Sequence, residues 1–325
     1  MINVAIVGAT GVVGEMFLKV LEEKKLNIDN YVLLASSRSK GKKIMFMGKE
    51  HIVEELTEHS FDNNRFQYAL FSAGASTAEK YAKIAAQNGC IVIDNSSCFR
   101  MDKSVPLVVP QVNMEDAYEH FNIISNPNCS TIQAVVPLKV LDDKYKLKRV
   151  IYSTYQAVSG AGKKGIDDLE NNTTNKFPYP IVNNCLPHID VFLDNGYTKE
   201  EMKMIEETRK ILKKPKLAIT ATCVRVPTLN CHCESITVEL ENDFKIEDIK
   251  TLLNNSSGII VLDDPKREIY PINTFVNGTD EVYVGRIRRD FSVENGINFW
   301  CVADNIRKGA ASNAVEILEN LLNNK

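Results

Sequence analysis

The feature that most constrains the fold lies in residues 2–14. An apolar strand pattern, Ile2-Asn3-Val4-Ala5-Ile6-Val7, runs into Gly8-Ala9-Thr10-Gly11-Val12-Val13-Gly14, which opens an amphipathic helix through Glu23. A strand that turns through glycines into a helix lets the backbone approach a pyrophosphate, and the helix N-terminus supplies amides and a positive dipole end. A glycine triplet alone is weak evidence, because tight turns also use glycine. Here a second strand, Tyr31 to Ala35, follows at the spacing of a βαβ unit, so the pattern predicts a Rossmann-type α/β domain.

The end of that second strand bears on cofactor choice. An NAD site places an acid there to accept from the ribose 2′-hydroxyl. This chain has Ser36-Ser37-Arg38-Ser39-Lys40, with hydroxyls, two cations and no acid. That set suits a 2′-phosphate, so NADP(H) is expected; the competing reading is an ordinary solvated loop. Residues 44–56 read as a short hairpin interrupting the alternation. Strands at 66–72 and 90–94 resume it, each ending in a small or polar loop. One of those loops contains Arg100, which is placed to meet an anion.

An apolar run, Phe121 to Ile124, then ends in Asn126-Pro127-Asn128, and a new apolar segment begins behind Ser130 and Thr131. That reads as strand, turn, helix, with Cys129 at the turn. Helix-start amides and the dipole favour a thiolate there, and the same amides can hold an oxyanion. A cysteine by itself is more often a small buried core residue, so its company decides. Beyond residue 148 the alternation fades into strands at 149–157, 219–226, 234–240, 281–289 and 297–303, read as a largely antiparallel sheet. Glu200 and Lys203 share one face of a charged helix, and Arg225 stands in an apolar strand, where an unpaired guanidinium is costly. His232 lies between Cys231 and Cys233, a spacing poor for zinc, and no metal is expected.

At 325 residues the length suits two domains. A net charge of −3 carries no footprint for nucleic acid or an anionic membrane, and no apolar run approaches a bilayer span. Eight irregularly spaced cysteines do not make a disulfide framework, so a reduced, cytoplasmic protein is expected.

Several stretches together resemble the aspartate-semialdehyde dehydrogenase family. They are the glycine loop, Phe99-Arg100-Met101, Val109-Pro110-Gln111-Val112-Asn113, Asn128-Cys129-Ser130, Tyr155-Gln156-Ala157, Glu200-Glu201-Met202-Lys203, Cys223-Val224-Arg225-Val226-Pro227, Cys231-His232 and Ala303-Asp304-Asn305. The resemblance runs nearly the length of the chain and in order. It implies an NADP-binding domain over 1–128, completed by a C-terminal helix at 304–325. It also implies a catalytic and dimerisation domain over 129–303 with a mainly antiparallel sheet, and a homodimer. The implied reaction is NADPH-dependent reduction of L-aspartyl 4-phosphate to L-aspartate 4-semialdehyde and inorganic phosphate, in lysine, threonine and methionine biosynthesis.

Carried over residue by residue, Cys129 resembles the nucleophile and His232 the acid/base. Gln156 orients the substrate, Arg225 meets its α-carboxylate and Glu200 its ammonium. Arg100, Asn128 and Lys203 hold phosphate. Gly8, Thr10, Gly11, Val12, Val13, Arg38, Ser39, Ser159, Gly160 and Asn305 resemble cofactor contacts. Two other functions compete with this one: N-acetyl-γ-glutamyl-phosphate reductase, which has no free amine for Glu200 to meet, and a non-catalytic NADP-sensing protein.

Overall fold

Strand β1, Asn3–Val7, is buried from Val4 onward, and this explains its unbroken apolar run. A parallel strand covered on both faces has no solvent side to alternate with. The computed structural model describes residues 1–324 and divides into two units, Met1–Pro127 together with the stretch from Ala310 onward, and Asn128–Gly309.

In the first unit, β2 (Asn30–Ala35) and β6 (Tyr68–Phe71) flank β1, followed outward by β7 (Ile91–Asp94) and β8 (Ile123–Ser125). Every pairing in this sheet is parallel. One face packs Phe17 and Leu21 of the helix Val12–Lys24 with Val315 and Leu318 of the terminal helix Ser312–Asn323. The other face packs Ala78, Ala82 and Ala85 of the helix Ala75–Gln87. This is the expected doubly wound arrangement.

Residues 44–56 divide, in contrast to the single hairpin read from the sequence. β3 (Lys43–Phe46) and β4 (Lys49–Ile52) pair as a separate hairpin, whereas β5 (Glu54–Glu55) joins the edge of the main sheet beside β2. Two residues carry too little periodicity to announce an edge strand.

The second unit holds a six-stranded mixed sheet. Its order is β10 (Ala218–Arg225), β9 (Leu147–Gln156), β11 (His232–Leu240), β14 (Gly296–Ala303), β13 (Val282–Asp290) and β12 (Ile259–Val261). The central pairs are antiparallel, while both outer pairs are parallel. The helix Cys129–Tyr145 lies on one face, buried along most of its length and therefore without the one-sided pattern of a surface helix. The helix Lys199–Ile211 packs beside it and against β10. A helix over Lys163–Asn171 falls where the sequence suggested no element. β11 starts at His232 because Cys231 sits in the left-handed region at φ 68° and cannot extend the strand.

Candidate active site

Asn128 is the N-cap and Cys129 the first residue of its helix. The Asn128 Oδ1 accepts from the amides of Ser130 at 3.1 Å and Thr131 at 3.2 Å. Two of the amides expected to face an oxyanion are therefore engaged by the cap. The rest of Asn128 is also occupied: Nδ2 donates to Glu200 Oε1 at 2.8 Å and the backbone N–H to Glu207 at 2.6 Å.

Cys129 Sγ lies 3.2 Å from His232 Nε2. His232 is fully buried, and its Nδ1 accepts from the Ala157 N–H at 3.1 Å. Burial, followed by the neighbouring Arg225 guanidinium, pushes the imidazole down to about 3. Gln133 ties the helix that carries Cys129 to β11 by donating to the His232 carbonyl at 3.2 Å. It stands four residues after Cys129, one helical turn along the same face, which was the one sequence signal for it. Gly309 packs so closely that a Cβ there would lie 2.8 Å from the Cys129 Cβ.

Around this pair the second unit gathers the other expected substrate residues. Lys203 Nζ bridges Glu200 at 3.0 Å and Asp190 at 2.8 Å; Asp190 was not foreseen, because it lies on an irregular loop. Burial pushes the Glu200 carboxyl up. Lys203 and hydrogen bonds from Asn128, Lys203 and Gln156 outweigh it and hold the group at about 2. Gln156 Nε2 donates to Ser130 Oγ and to Glu200 Oε1. Arg225 Nη1 donates to the Ala157 carbonyl at 2.6 Å, which fixes the guanidinium. A Cβ on Gly160 would lie 3.1 Å from Arg225 Nη1 and 3.3 Å from His232 Nε2, so this glycine leaves space beside both. Asn305 Nδ2 donates to Ser159 Oγ at 3.0 Å, and its Oδ1 accepts from the Cys231 amide at 2.9 Å. Ser159, Gly160 and Asn305 thus lie close to the His232 corner.

The first unit holds a separate group. A cavity of about 580 Å³ is lined by Gly8, Thr10, Gly11, Arg38 and Ser72 among others. Gly8 adopts φ 84°, and a Cβ on Gly14 would lie 2.1 Å from the Gly8 carbonyl oxygen, so the turn requires both glycines. Ser39 Oγ lies 3.1 Å from Thr10 Oγ1. Val12 and Val13 start the helix and do not line the cavity. Glu55, from the unforeseen edge strand, does line it and pairs with Lys40 at 3.2 Å. The stretch 36–40 itself carries no acid, and the carboxylate of the cavity comes from this edge strand. Arg100 is buried, donating to the carbonyls of Asn126 at 2.9 Å and Asn95 at 2.8 Å.

A dinucleotide-type turn on a parallel sheet, together with a second unit that carries a Cys–His pair at a helix start on a mixed sheet, has the architecture of a two-domain, nucleotide-dependent oxidoreductase. Two family models match in those places, the semialdehyde dehydrogenase NAD binding domain over residues 3–120 and the semialdehyde dehydrogenase dimerisation domain over 138–308. The aspartate-semialdehyde dehydrogenase of Aquifex aeolicus is 53% identical, covering 98% of each chain. That of Bacillus subtilis is 46% identical over 98% of this chain and 97% of its own. The crystal structure of aspartate semialdehyde dehydrogenase II from Vibrio cholerae complexed with ASA superposes with a TM-score of 0.96. It is 46% identical and covers 99% of this chain and 98% of its own. The Candida albicans enzyme with NADP superposes at 0.81, with 27% identity and full coverage of both chains. The chain belongs to the aspartate-semialdehyde dehydrogenase family.

Proposed function

We propose that this oxidoreductase reduces L-aspartyl 4-phosphate to L-aspartate 4-semialdehyde, with Cys129 as nucleophile and NADP(H) as cofactor. The observation that carries the reading is the 3.2 Å contact between Cys129 Sγ and His232 Nε2 at a capped helix start. The Cys129 thiolate attacks the acyl carbon, the C–O bond to phosphate breaks, and a thioester forms. Phosphate leaves as hydrogen phosphate, drawing one proton from water. Lys203 offsets the leaving charge, and we assign Arg100 the same work. Asn128 acts here through its cap and its bond to Glu200. Arg225 receives the α-carboxylate on the guanidinium edge not held by Ala157, and Glu200, ionised by its surroundings, receives the ammonium. Gln156 orients the carbonyl.

The cavity of the first unit fits the cofactor. Its glycines admit a pyrophosphate to the helix start, and Arg38 suits a 2′-phosphate, while Lys40 engages Glu55. NADPH, when bound, supplies hydride to the thioester carbon. Ser159, Gly160 and Asn305 border the space beside His232 and are assigned to the nicotinamide end. We place Met1–Pro127 as the cofactor domain and Asn128–Gly309 as the catalytic and dimerisation domain of a cytoplasmic homodimer. Eight free cysteines support a reducing compartment. Its product would serve lysine, threonine and methionine synthesis.

A buried, ionised Glu200 speaks against an N-acylated substrate, which offers it no cation. The test is phosphate-dependent reduction of NADP by aspartate semialdehyde, set beside N-acetylglutamate semialdehyde. Cys129→Ala should abolish turnover and leave cofactor binding intact. Preference for the acylated substrate would defeat the assignment, and turnover by Cys129→Ala would defeat the thioester.

A further inference from the structure

We propose that Asp190 is a specificity-determining residue of the substrate site. It supplies the second negative charge that lets Glu200 and Lys203 together accept a primary ammonium group. The proposal deepens the dehydrogenase reading and rests on it for the free α-amine of the substrate.

Glu200 and Lys203 by themselves form a neutral ion pair. They stand three residues apart on one face of the helix Lys199–Ile211, with Lys203 Nζ 3.0 Å from Glu200 Oε2. A closed pair of this kind offers an incoming cation no net charge. Asp190 changes the count, because its Oδ2 lies 2.8 Å from the same Nζ. Two carboxylates now share one lysine, and one negative charge is left over for one ammonium ion. At both carboxyls burial pushes the pKa upward, and Lys203 with the surrounding hydrogen bonds outweighs it, so both stay ionised. Arg225, the other cation acting on Glu200, is assigned to the α-carboxylate.

Asp190 is held in place for this work. It adopts φ 68°, a left-handed conformation that Asp tolerates better than most residues, and its Oδ1 accepts from the Val191 N–H at 3.0 Å. The Val191 carbonyl accepts from the Lys199 N–H at 2.8 Å, at the first residue of the helix. The loop that bears Asp190 is thereby fixed to the helix that carries its two partners.

The same contact keeps Lys203 in reach of phosphate. A lysine ammonium has three N–H donors. In Lys203 one meets Glu200 and one Asp190, while the third has no partner among the described residues. An incoming α-ammonium takes over Glu200 Oε2, and repulsion between the two cations moves Lys203 off that oxygen. Asp190 retains the displaced lysine, whose other N–H groups turn to phosphate. Glu200 keeps its place, because its Oε1 accepts from Asn128 Nδ2 at 2.8 Å and Gln156 Nε2 at 3.2 Å. A neutral, acylated amine gains nothing from the surplus charge.

The test measures kcat/KM of the wild type and Asp190→Asn for aspartate semialdehyde and for succinate semialdehyde, which lacks only the amine. The ratio of the two values is the readout. Both come from one enzyme sample, so an inactive fraction cancels. Asparagine keeps the size and tolerates the left-handed backbone while removing the charge. A unit charge a few ångströms away near a protein surface contributes roughly tenfold, and the ratio should fall by about that factor, through KM for aspartate semialdehyde. Asp190→Asn combined with Lys203→Met leaves Glu200 as the one charge of this corner. The ratio should then return to within roughly threefold of the wild type. Loss of Lys203 weakens phosphate binding, so the double variant is also read by how well aspartate and succinate protect Cys129 from iodoacetamide, which needs no phosphate.

An unchanged ratio in Asp190→Asn would overturn the proposal, as would a ratio that falls further in the double variant. Failure of the dehydrogenase reading shows separately, as a wild type that does not oxidise aspartate semialdehyde. Protection by aspartate over succinate still reports the charge of this corner in that case.

Discussion

Glu200 and Glu234 are both buried acids of the second unit, and what faces each one decides its state. Glu200 meets an ammonium and amide donors and stays ionised. Neither carboxyl oxygen of Glu234 has a hydrogen-bond partner among the described residues, and burial, with Glu200 nearby, raises its pKa well above the usual range. The sign follows from linkage. In the unfolded chain Glu234 ionises near pH 4.3, whereas in the folded protein it stays protonated. Above that pH the unfolded state gains, and stability falls by up to about 1.4 kcal/mol per pH unit until the folded group also ionises. Glu234→Gln should therefore raise the thermal midpoint, with a gain that widens as the pH rises above the unfolded carboxyl's value. A pH-independent difference between the two midpoints would refute this. At the cofactor cavity the relevant charge is exposed Arg38. Arg38→Ala should raise KM for NADP about tenfold or more and leave that for NAD nearly unchanged, since a charged hydrogen bond contributes about 1.5–3 kcal/mol. Equal losses for both cofactors would remove Arg38 from the 2′-phosphate site.

At the scale of elements, the helix Cys129–Tyr145 depends on one side chain at its start. Asn128→Ala removes the cap of Ser130 and Thr131 as well as a donor to Glu200. Loss of such a cap costs about 1 kcal/mol, or roughly 2–4 °C in midpoint for a domain of this size. Calorimetry should show that loss together with slower alkylation of Cys129; Asn128→Asp should keep the cap and still impair turnover, because it sets a second carboxylate against Glu200. Unchanged alkylation in both variants would mean that the cap does not prepare the thiol. The start of this helix was legible because Asn-Pro-Asn punctuates two apolar runs, a strictly local signal. So was the glycine turn after β1, where strand, glycines and helix are contiguous. Glu55 and Ala157 were not legible. A two-residue edge strand has no period to read, and a backbone amide leaves no trace in residue type. Asp190 reaches Lys203 only through tertiary folding of a loop, so no spacing along the chain announces it.

For the whole molecule, the homodimer proposed above has a candidate surface on the face of the second sheet opposite Gln156. Along β9, Gln156 points to the site and Tyr155 away from it, with 40% of Tyr155 exposed. Its ring lies 5.5 Å from Trp300, whose Nε1 donates to the Pro271 carbonyl. Leu229, Tyr270, Ile272 and Phe275 add exposed apolar surface at 43%, 40%, 36% and 66%. Beside them a cavity of about 320 Å³ is lined by Tyr270, Ile272, Arg286, Arg288 and Trp300. An aromatic and aliphatic patch with arginines at its margin has the make-up of an interface core, where charge is scarce and aromatic residues and arginine are enriched. A stable dimer needs about 800 Å² from each partner, and anchors near the centre dominate its energy. Tyr155→Asp and Ile272→Asp should each shift sedimentation towards the monomer at low micromolar concentration. Phe121→Asp, at a more exposed ring in the first unit, should leave assembly unchanged. Because β9 presents Gln156 and Tyr155 on opposite faces of one strand, the monomeric variants should also lose kcat, with KM for the cofactor little altered. Dimers that persist in both aspartate variants would move the interface elsewhere. Monomers with full kcat would sever the link between assembly and the position of Gln156.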